Sequence, residues 1–320
     1  MTDQPRLLSL TLGLLLMGCM SPGWAAADLE RRSIAAGGNQ RTYLIATPNL
    51  PSQGNRPLIL LLHGHGGSAS QLLGQGDRPA PFRPWRQIAA DNNAVLIAAD
   101  GTRGPDGKRG WNDLRGVETN PGTDDLAFLI ALIDEAVVGH GVNANAVHVV
   151  GISNGGHMAF RIALEAPERV AGIGAIVAAM PANYQGVAPS TGVNVAIMNG
   201  TRDRIMPYGG GAMAKGRGEV LSTQASLEYW AGVNACTGRP QTHRYENVSR
   251  KDRSRVVRTQ YSDCASGGRV ALFKVQGAGH STPSNSERYG HGYLLLTGRQ
   301  NWDIEAAEEI WAVIGSKLAP

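Results

Sequence analysis

Seven short apolar runs constrain this chain more than any other feature, at 41–46, 57–62, 94–99, 146–151, 172–177, 193–198 and 270–275. They are rich in Val, Ile, Leu and Ala, bounded by Gly, Pro or Asn, and more continuous than alternating, as strands buried on both faces require. Helical patterns fill the gaps at 124–137, 155–165, 221–233 and 302–318. In the first of these, Leu126, Leu129, Ile130 and Ile133 share one face, and Asp124 and Asp125 stand near the start, where the helix dipole favours anions. Strand and helix in alternation specify an α/β chain with a mainly parallel central sheet and helices on both faces. No repeat, Ser/Thr-rich linker or separate lid domain is legible, so 28–320 reads as one domain.

The 320 residues are 42% hydrophobic and 18% charged, which excludes a disordered chain. The net charge of +4 comes from scattered arginines, densest at Arg250, Lys251, Arg253, Arg255 and Arg258. No nucleic-acid-binding motif accompanies that run, so it reads as a solvated loop or edge strand and no nucleic-acid partner is expected. Residues 1–27 read as an export signal, with Arg6 in a polar start, an apolar run at 7–20 and Ala25-Ala26-Ala27 before Asp28. A rival reading takes Leu16-Met17-Gly18-Cys19 as a lipoprotein signal with Cys19 acylated. Either route leads to a secreted or periplasmic protein, without membrane attachment unless Cys19 is lipidated. It leaves Cys236 and Cys264 as an even pair in an oxidising compartment, where a disulfide is expected.

The run 146–150 leads straight into Gly151-Ile152-Ser153-Asn154-Gly155-Gly156 and then into a helical pattern. This is a Gly-x-Ser-x-Gly nucleophile elbow in its required strand-turn-helix context. A serine hydroxyl needs a base in reach. Of eight histidines, His280 in Gly277-Ala278-Gly279-His280, just beyond the last strand, fits that role. His148 and His157 fall within a strand and a helix as structural residues, and His140, His243 and His291 read as loop or surface. The acid must come between Ser153 and His280 in chain order. Asp203 follows the strand at 193–198, whereas Asp252 and Asp263 lie in the polar, Arg-rich stretch and Asp100, Asp124 and Asp125 come too early.

Two backbone amides are needed for an oxyanion, and the elbow offers that of Asn154. The other is expected in the turn Leu62-His63-Gly64-His65-Gly66-Gly67, at His65. A zinc reading of His63-x-His65 fails for want of a third ligand within the turn, and no metal or organic cofactor is required. Trp111 and Asn112 follow a glycine-rich loop on the ligand-binding side of the sheet and are expected to contact substrate, although a structural role for Trp111 fits equally.

These motifs together resemble the secreted polyhydroxybutyrate depolymerase and feruloyl esterase family of α/β hydrolases. The resemblance rests on Leu-His-Gly-x-Gly-Gly, Gly-x-Ser-Asn-Gly-Gly, the run from Asn199 to Tyr208, Gly-x-Gly-His, and Trp230 with Asn234-Ala235-Cys236 and the later Cys264. It implies the α/β-hydrolase fold, a Ser153-His280-Asp203 triad, oxyanion donors at His65 and Asn154, a Cys236–Cys264 disulfide, and cleavage of small or oligomeric carboxylic esters. The family carries an aromatic residue and Pro-Gly after its histidine; this chain has Ser281-Thr282-Pro283-Ser284, which implies a differently shaped pocket. It also has no linker or extra binding domain, so soluble esters are expected in preference to insoluble polymer. The same triad would serve a peptidase, and a non-catalytic binding protein on this scaffold is the reading from a different class.

Overall fold

A computed structural model describes residues 28–49, 54–76, 79–265 and 267–315. The export-signal reading at 1–27, with Cys19, lies outside the described residues. In chain order the strands are β1 (Glu30–Ala36), β2 (Asn39–Ala46), β3 (Arg56–Leu62), β4 (Val95–Ala99), β5 (Thr102–Arg103), β6 (Arg109–Gly110), β7 (Val142–Ile152), β8 (Gly172–Ile176), β9 (Asn194–Gly200), β10 (Gly211–Ala212), β11 (Glu219–Val220), β12 (Gln241–Arg244), β13 (Arg255–Tyr261) and β14 (Val270–Gln276). The helices are α1 (Ala69–Leu72), α2 (Trp85–Asp91), α3 (Asp125–His140), α4 (Asn154–Glu165), α5 (Thr223–Val233), α6 (His291–Thr297) and α7 (Ala306–Ile314).

Ten strands make one sheet in the order β1-β2-β4-β3-β7-β8-β9-β14-β13-β12. Its centre, from β4 to β14, is parallel, and antiparallel strands flank it on both sides. The period-2 alternation of a strand splits the core into two layers. Leu58, Leu60 and Leu62 pack with Phe128 of α3, Phe160 of α4 and Trp230 of α5. Ile59 and Leu61 face the other way, into the layer of Trp85 of α2 and Ile310 of α7. This is the α/β-hydrolase fold, and it brings the carboxyl ends of β7, β9 and β14 to one edge. No helix among the described residues is long and apolar enough to cross a membrane.

All seven expected strands form, with β7 extending to Val142. Helix α3 starts where expected, capped by the Asp124 carboxylate on the Ala127 amide, and runs on to a left-handed Gly141. Other expectations need correcting. The helix expected at 302–318 begins at Ala306, and α6 precedes it as a separate element. The basic run is a solvated turn only over its first half and is not an edge strand: after a 3-10 turn at Arg250–Asp252 it enters β13, which pairs with β12 on one side and β14 on the other. Strands β1, β12 and β13 escaped the apolar-run criterion because few of their residues are buried: β1 largely alternates exposed and half-buried positions, β12 is exposed throughout and β13 is mostly half-buried, as antiparallel strands outside the parallel core can be.

The two cysteines do join. Cys236, just after α5, is disulfide-bonded to Cys264, just after β13.

Candidate active site

Strand β7 ends at Ile152, and the chain reverses at Ser153 with φ 55° and ψ −120° before α4 begins. A non-glycine residue in that region costs about 1–3 kcal/mol and persists only where its surroundings hold it. Here the Ser153 amide donates to the Ile176 carbonyl of β8 at 2.8 Å and its carbonyl accepts from His157 at 2.9 Å. The flanking glycines are required by space. A Cβ on Gly151 would lie 2.0 Å from the Gly155 carbonyl oxygen, and one on Gly155 would lie 2.3 Å from that of Leu62.

Asp203 follows β9, and its Oδ1 accepts from the amides of Ile205 and Met206 at 2.8 and 2.9 Å. Its Oδ2 lies 2.6 Å from His280 Nδ1. His280 follows β14, and its amide is tied to the Thr297 carbonyl. The two loops meet so closely that a Cβ on Gly200 would lie 2.4 Å from the Gly279 carbonyl oxygen. On the far side of the ring, His280 Nε2 lies 2.9 Å from Ser153 Oγ. A carboxylate can only accept, so it fixes the ring proton on Nδ1 and leaves Nε2 as the acceptor facing the hydroxyl. The structure therefore brings together three side chains that are 50 and 77 residues apart along the chain (203 − 153 and 280 − 203).

The two residues expected to donate oxyanion amides, His65 and Asn154, sit in the turn after β3 and at the start of α4. Asn154 is the first residue of α4, so its amide has no acceptor inside the helix. In the turn after β3, the amide of Gly66 donates to the Arg109 carbonyl and that of Gly67 to the Gly64 carbonyl, bonds that fix the turn on which His65 stands. The imidazoles of the turn are otherwise engaged. His63 has Nδ1 2.7 Å from the Gly64 carbonyl and accepts at Nε2 from the Gly101 amide, and burial pushes its pKa down to about 4. His65 Nε2 lies 2.8 Å from Asp106 Oδ2.

A matched pattern in these parts decides the family. A phospholipase/carboxylesterase family model fits residues 45–230, more than half of the chain and spanning the oxyanion turn, the elbow and Asp203. The chain belongs to this family of α/β hydrolases. The putative esterase NocK of Nocardia uniformis subsp. tsuyamanensis is 28% identical over 293 residues, covering 86% of this chain and 80% of that protein. A poly(3-hydroxybutyrate) depolymerase of Ralstonia pickettii is 28% identical over 158 residues, 48% of this chain and 32% of that protein. Feruloyl esterase D of Neurospora crassa is 25% identical over 195 residues, 56% of this chain and 63% of that protein. The chain thus spans about a third of the depolymerase and somewhat under two thirds of the feruloyl esterase. It is an esterase-type serine hydrolase, and its resemblance to the depolymerase and feruloyl esterase group is one of sequence as well as motif.

In this esterase a cavity of about 280 Å³ opens at Ser153, walled by Phe82, Leu72, Ile152, Ile205, Tyr289 and Tyr293. The substrate contacts expected of Trp111 and Asn112 are corrected, since neither lines it. Trp111 is fully buried, with its indole N–H donating to the His63 carbonyl at 2.8 Å. Asn112 is spent on α3 and α4, its amide on Asp125 and its carbonyl on Arg161. The run after His280 does not line the cavity either. Ser281 and Ser284 turn inward, to the Arg299 carbonyl and the Glu305 carboxylate.

Sequence reasoning missed the support behind the elbow. The Asn154 side chain accepts from the Trp111 amide, donates to its carbonyl, and donates to Asp113. Asp113 is fully buried and held below the ordinary carboxylate range against its desolvation, chiefly by the guanidinium of Arg115, 2.6 Å away. An Asp two residues before an Arg, just after the Trp111-Asn112 pair, was the available signal. His148 and His157 are structural, as expected, while His243 and His291 are exposed. His157 lies against the Ala179 carbonyl and His148 against the Trp311 ring, with pKa values pushed by burial to about 3 and about 4.

Proposed function

We propose that this chain is an exported serine esterase in which Ser153 is the nucleophile, His280 its base and Asp203 the residue that orients the ring. The observation that carries this reading is the unbroken relay from Asp203 Oδ2 through the imidazole to Ser153 Oγ, at 2.6 and 2.9 Å. Ser153 Oγ attacks the ester carbonyl while His280 Nε2 takes its proton, and Asp203 stabilises the imidazolium. The carbonyl oxygen, now negative, rests on the amides of His65 and Asn154, a contribution of several kcal/mol to the barrier in hydrolases of this kind. His280 then returns the proton to the departing alcohol, and a water activated by the same ring releases the acid from Ser153.

The substrates of this reading are soluble carboxylic esters or hydroxyalkanoate oligomers. A cavity of about 280 Å³ with apolar and aromatic walls supports a short acyl or alcohol group. A second reading, a feruloyl or acetyl ester carried on a polysaccharide, is favoured by the likeness to the feruloyl esterase. Export is supported by the Cys236–Cys264 disulfide, since such bonds persist in oxidising compartments.

The experiment is Ser153→Ala. It should abolish hydrolysis of p-nitrophenyl butyrate and labelling by a fluorophosphonate, with an unchanged thermal melt. Undiminished turnover overturns the nucleophile assignment. A panel of hydroxybutyrate trimer, methyl ferulate and p-nitrophenyl butyrate separates the two substrate readings.

A further inference from the structure

Beside the His280 loop lies a second and larger hollow, of about 1130 Å³. It is lined by Arg202, Arg250, Arg253, Arg255, Lys274 and Arg299, against a single carboxylate, Glu246, among the described lining residues. Several arginines elsewhere in the protein are matched with carboxylates, as in Arg41 with Asp125, Arg115 with Asp113 and Arg161 with Glu165. Among the described residues, none of the six groove cations forms an ion pair. Lys274 instead lies over the Tyr208 ring. Cations gathered without counter-charges repel one another in the folded state and focus a positive potential into the hollow, which a bound polyanion relieves.

The position of the hollow ties it to the reaction. Arg255 at the start of β13 pairs with Gln276 at the end of β14, so the groove sits at the sheet edge from which His280 projects. Three loops contribute to both hollows. Arg202 lines the groove and Ile205 the catalytic cavity; Gly277 lines the groove and His280 the cavity; Arg299 lines the groove and Thr297 the cavity. The catalytic cavity itself holds one more guanidinium, Arg217.

We propose that this groove binds a carboxylate-bearing polymer chain and presents an ester on that chain to Ser153. The inference deepens the esterase reading and rests on it for the final step. Arginine recognises carboxylates through paired, directional donors, which suits a chain with regularly spaced acid groups. Among the described lining residues the groove has no aromatic ring on which nucleic-acid bases would stack and no large apolar side chain to enter a lipid surface, so this lining favours neither of those ligands.

The test uses full-length Ser153→Ala protein titrated calorimetrically with oligogalacturonate, at low and at high salt, beside a neutral malto-oligosaccharide of equal length. Binding of the acidic chain alone, weakened about tenfold or more by salt, is expected. The variant Arg250→Gln/Arg253→Asn/Arg255→Thr keeps residue types suited to a left-handed position at 253 and a strand at 255, and should weaken that binding about tenfold or more. In the active enzyme the same changes should raise KM for a partly methyl-esterified oligogalacturonate and leave kcat/KM for p-nitrophenyl butyrate within about twofold. A thermal melt checks folding, and Lys274→Gln alone should lower affinity in the same direction. The proposal is overturned by absence of binding, by equal binding of the neutral chain, by tighter binding of oligo(dT) or anionic vesicles, or by equal loss on both esters. Turnover retained in Ser153→Ala would instead strike the nucleophile assignment and leave the groove measurement standing.

Discussion

The side-chain amide of Asn154 donates to the buried carboxylate of Asp113 at 2.5 Å, so the residue whose backbone N–H faces the proposed oxyanion is clamped from behind. The same side chain bonds both the amide and the carbonyl of Trp111. Through this one residue the start of α4 is locked to the loop after β6, and the Asp113–Arg115 ion pair holds that loop in turn.

Removing the clamp should loosen the amide without removing it. Asn154→Ala leaves two buried backbone groups of Trp111 without partners, a cost of about 1–3 kcal/mol each. It should lower kcat by an amount on the order of tenfold to a hundredfold with little change in KM. Urea denaturation and p-nitrophenyl butyrate kinetics measure both. A variant with wild-type kcat would show that the clamp has no part in positioning the amide.

Gly155 is expected to be irreplaceable even by alanine. The added methyl would meet the carbonyl oxygens of Leu62 and His63 at 2.3 and 2.6 Å. Both are backbone atoms of the central sheet edge and cannot swing aside, so a loss of more than about 4 kcal/mol is expected. Soluble yield and the thermal midpoint of Gly155→Ala are the readouts, and a normal midpoint would contradict the tight turn.

Stability should fall as pH drops below about 6.5, the ordinary histidine pKa in an unfolded chain. In the fold, His63 and His148 are pushed down to about 4 and His157 to about 3, all chiefly by burial. Between those values and 6.5 the unfolded chain binds protons that the native state refuses, so acid favours unfolding. Each histidine contributes up to about 1.4 kcal/mol per pH unit in that window. Urea midpoints taken from neutral to mildly acidic pH should show this slope. His148→Leu should flatten it, since burial alone accounts for the shift there. An unchanged slope in that variant would argue against a neutral buried imidazole.

Reduction of the Cys236–Cys264 bond should cost about 3 kcal/mol, given the 28-residue separation it spans. The bond ties the end of α5 to the end of β13 and touches none of the loops that carry Ser153, Asp203 or His280. A lower thermal midpoint in dithiothreitol is expected, with unchanged kcat below the transition. Loss of activity at a temperature where the reduced protein remains folded would point to a link between this bond and the site.

The buried strands and the elbow were legible in the sequence because each is a local pattern. An apolar run such as 58–62 has nowhere to go but the inside of a sheet, and Gly151-x-Ser153-x-Gly155 between strand and helix has one conformation that avoids a collision. The flanking strands β1, β12 and β13 were hidden because a strand with few buried residues resembles a polar loop. Trp111 misled for a related reason. An aromatic residue after a glycine-rich loop suits a pocket wall and a buried brace equally, and only its bond to the His63 carbonyl separates the two.

The sequence by itself determined the parallel core, the turn that exposes Ser153 and the short set of residues able to serve it, since these follow from side-chain chemistry and near-neighbour geometry. Tertiary structure alone decided which polar groups meet: Asp203 with His280, Asn154 with Asp113, and Arg202, Lys274 and Arg299 with the basic run at 250–255 in one groove. Such meetings depend on the order in which strands pair and on loops crossing at the sheet edge, long-range relations that no local pattern along the chain encodes.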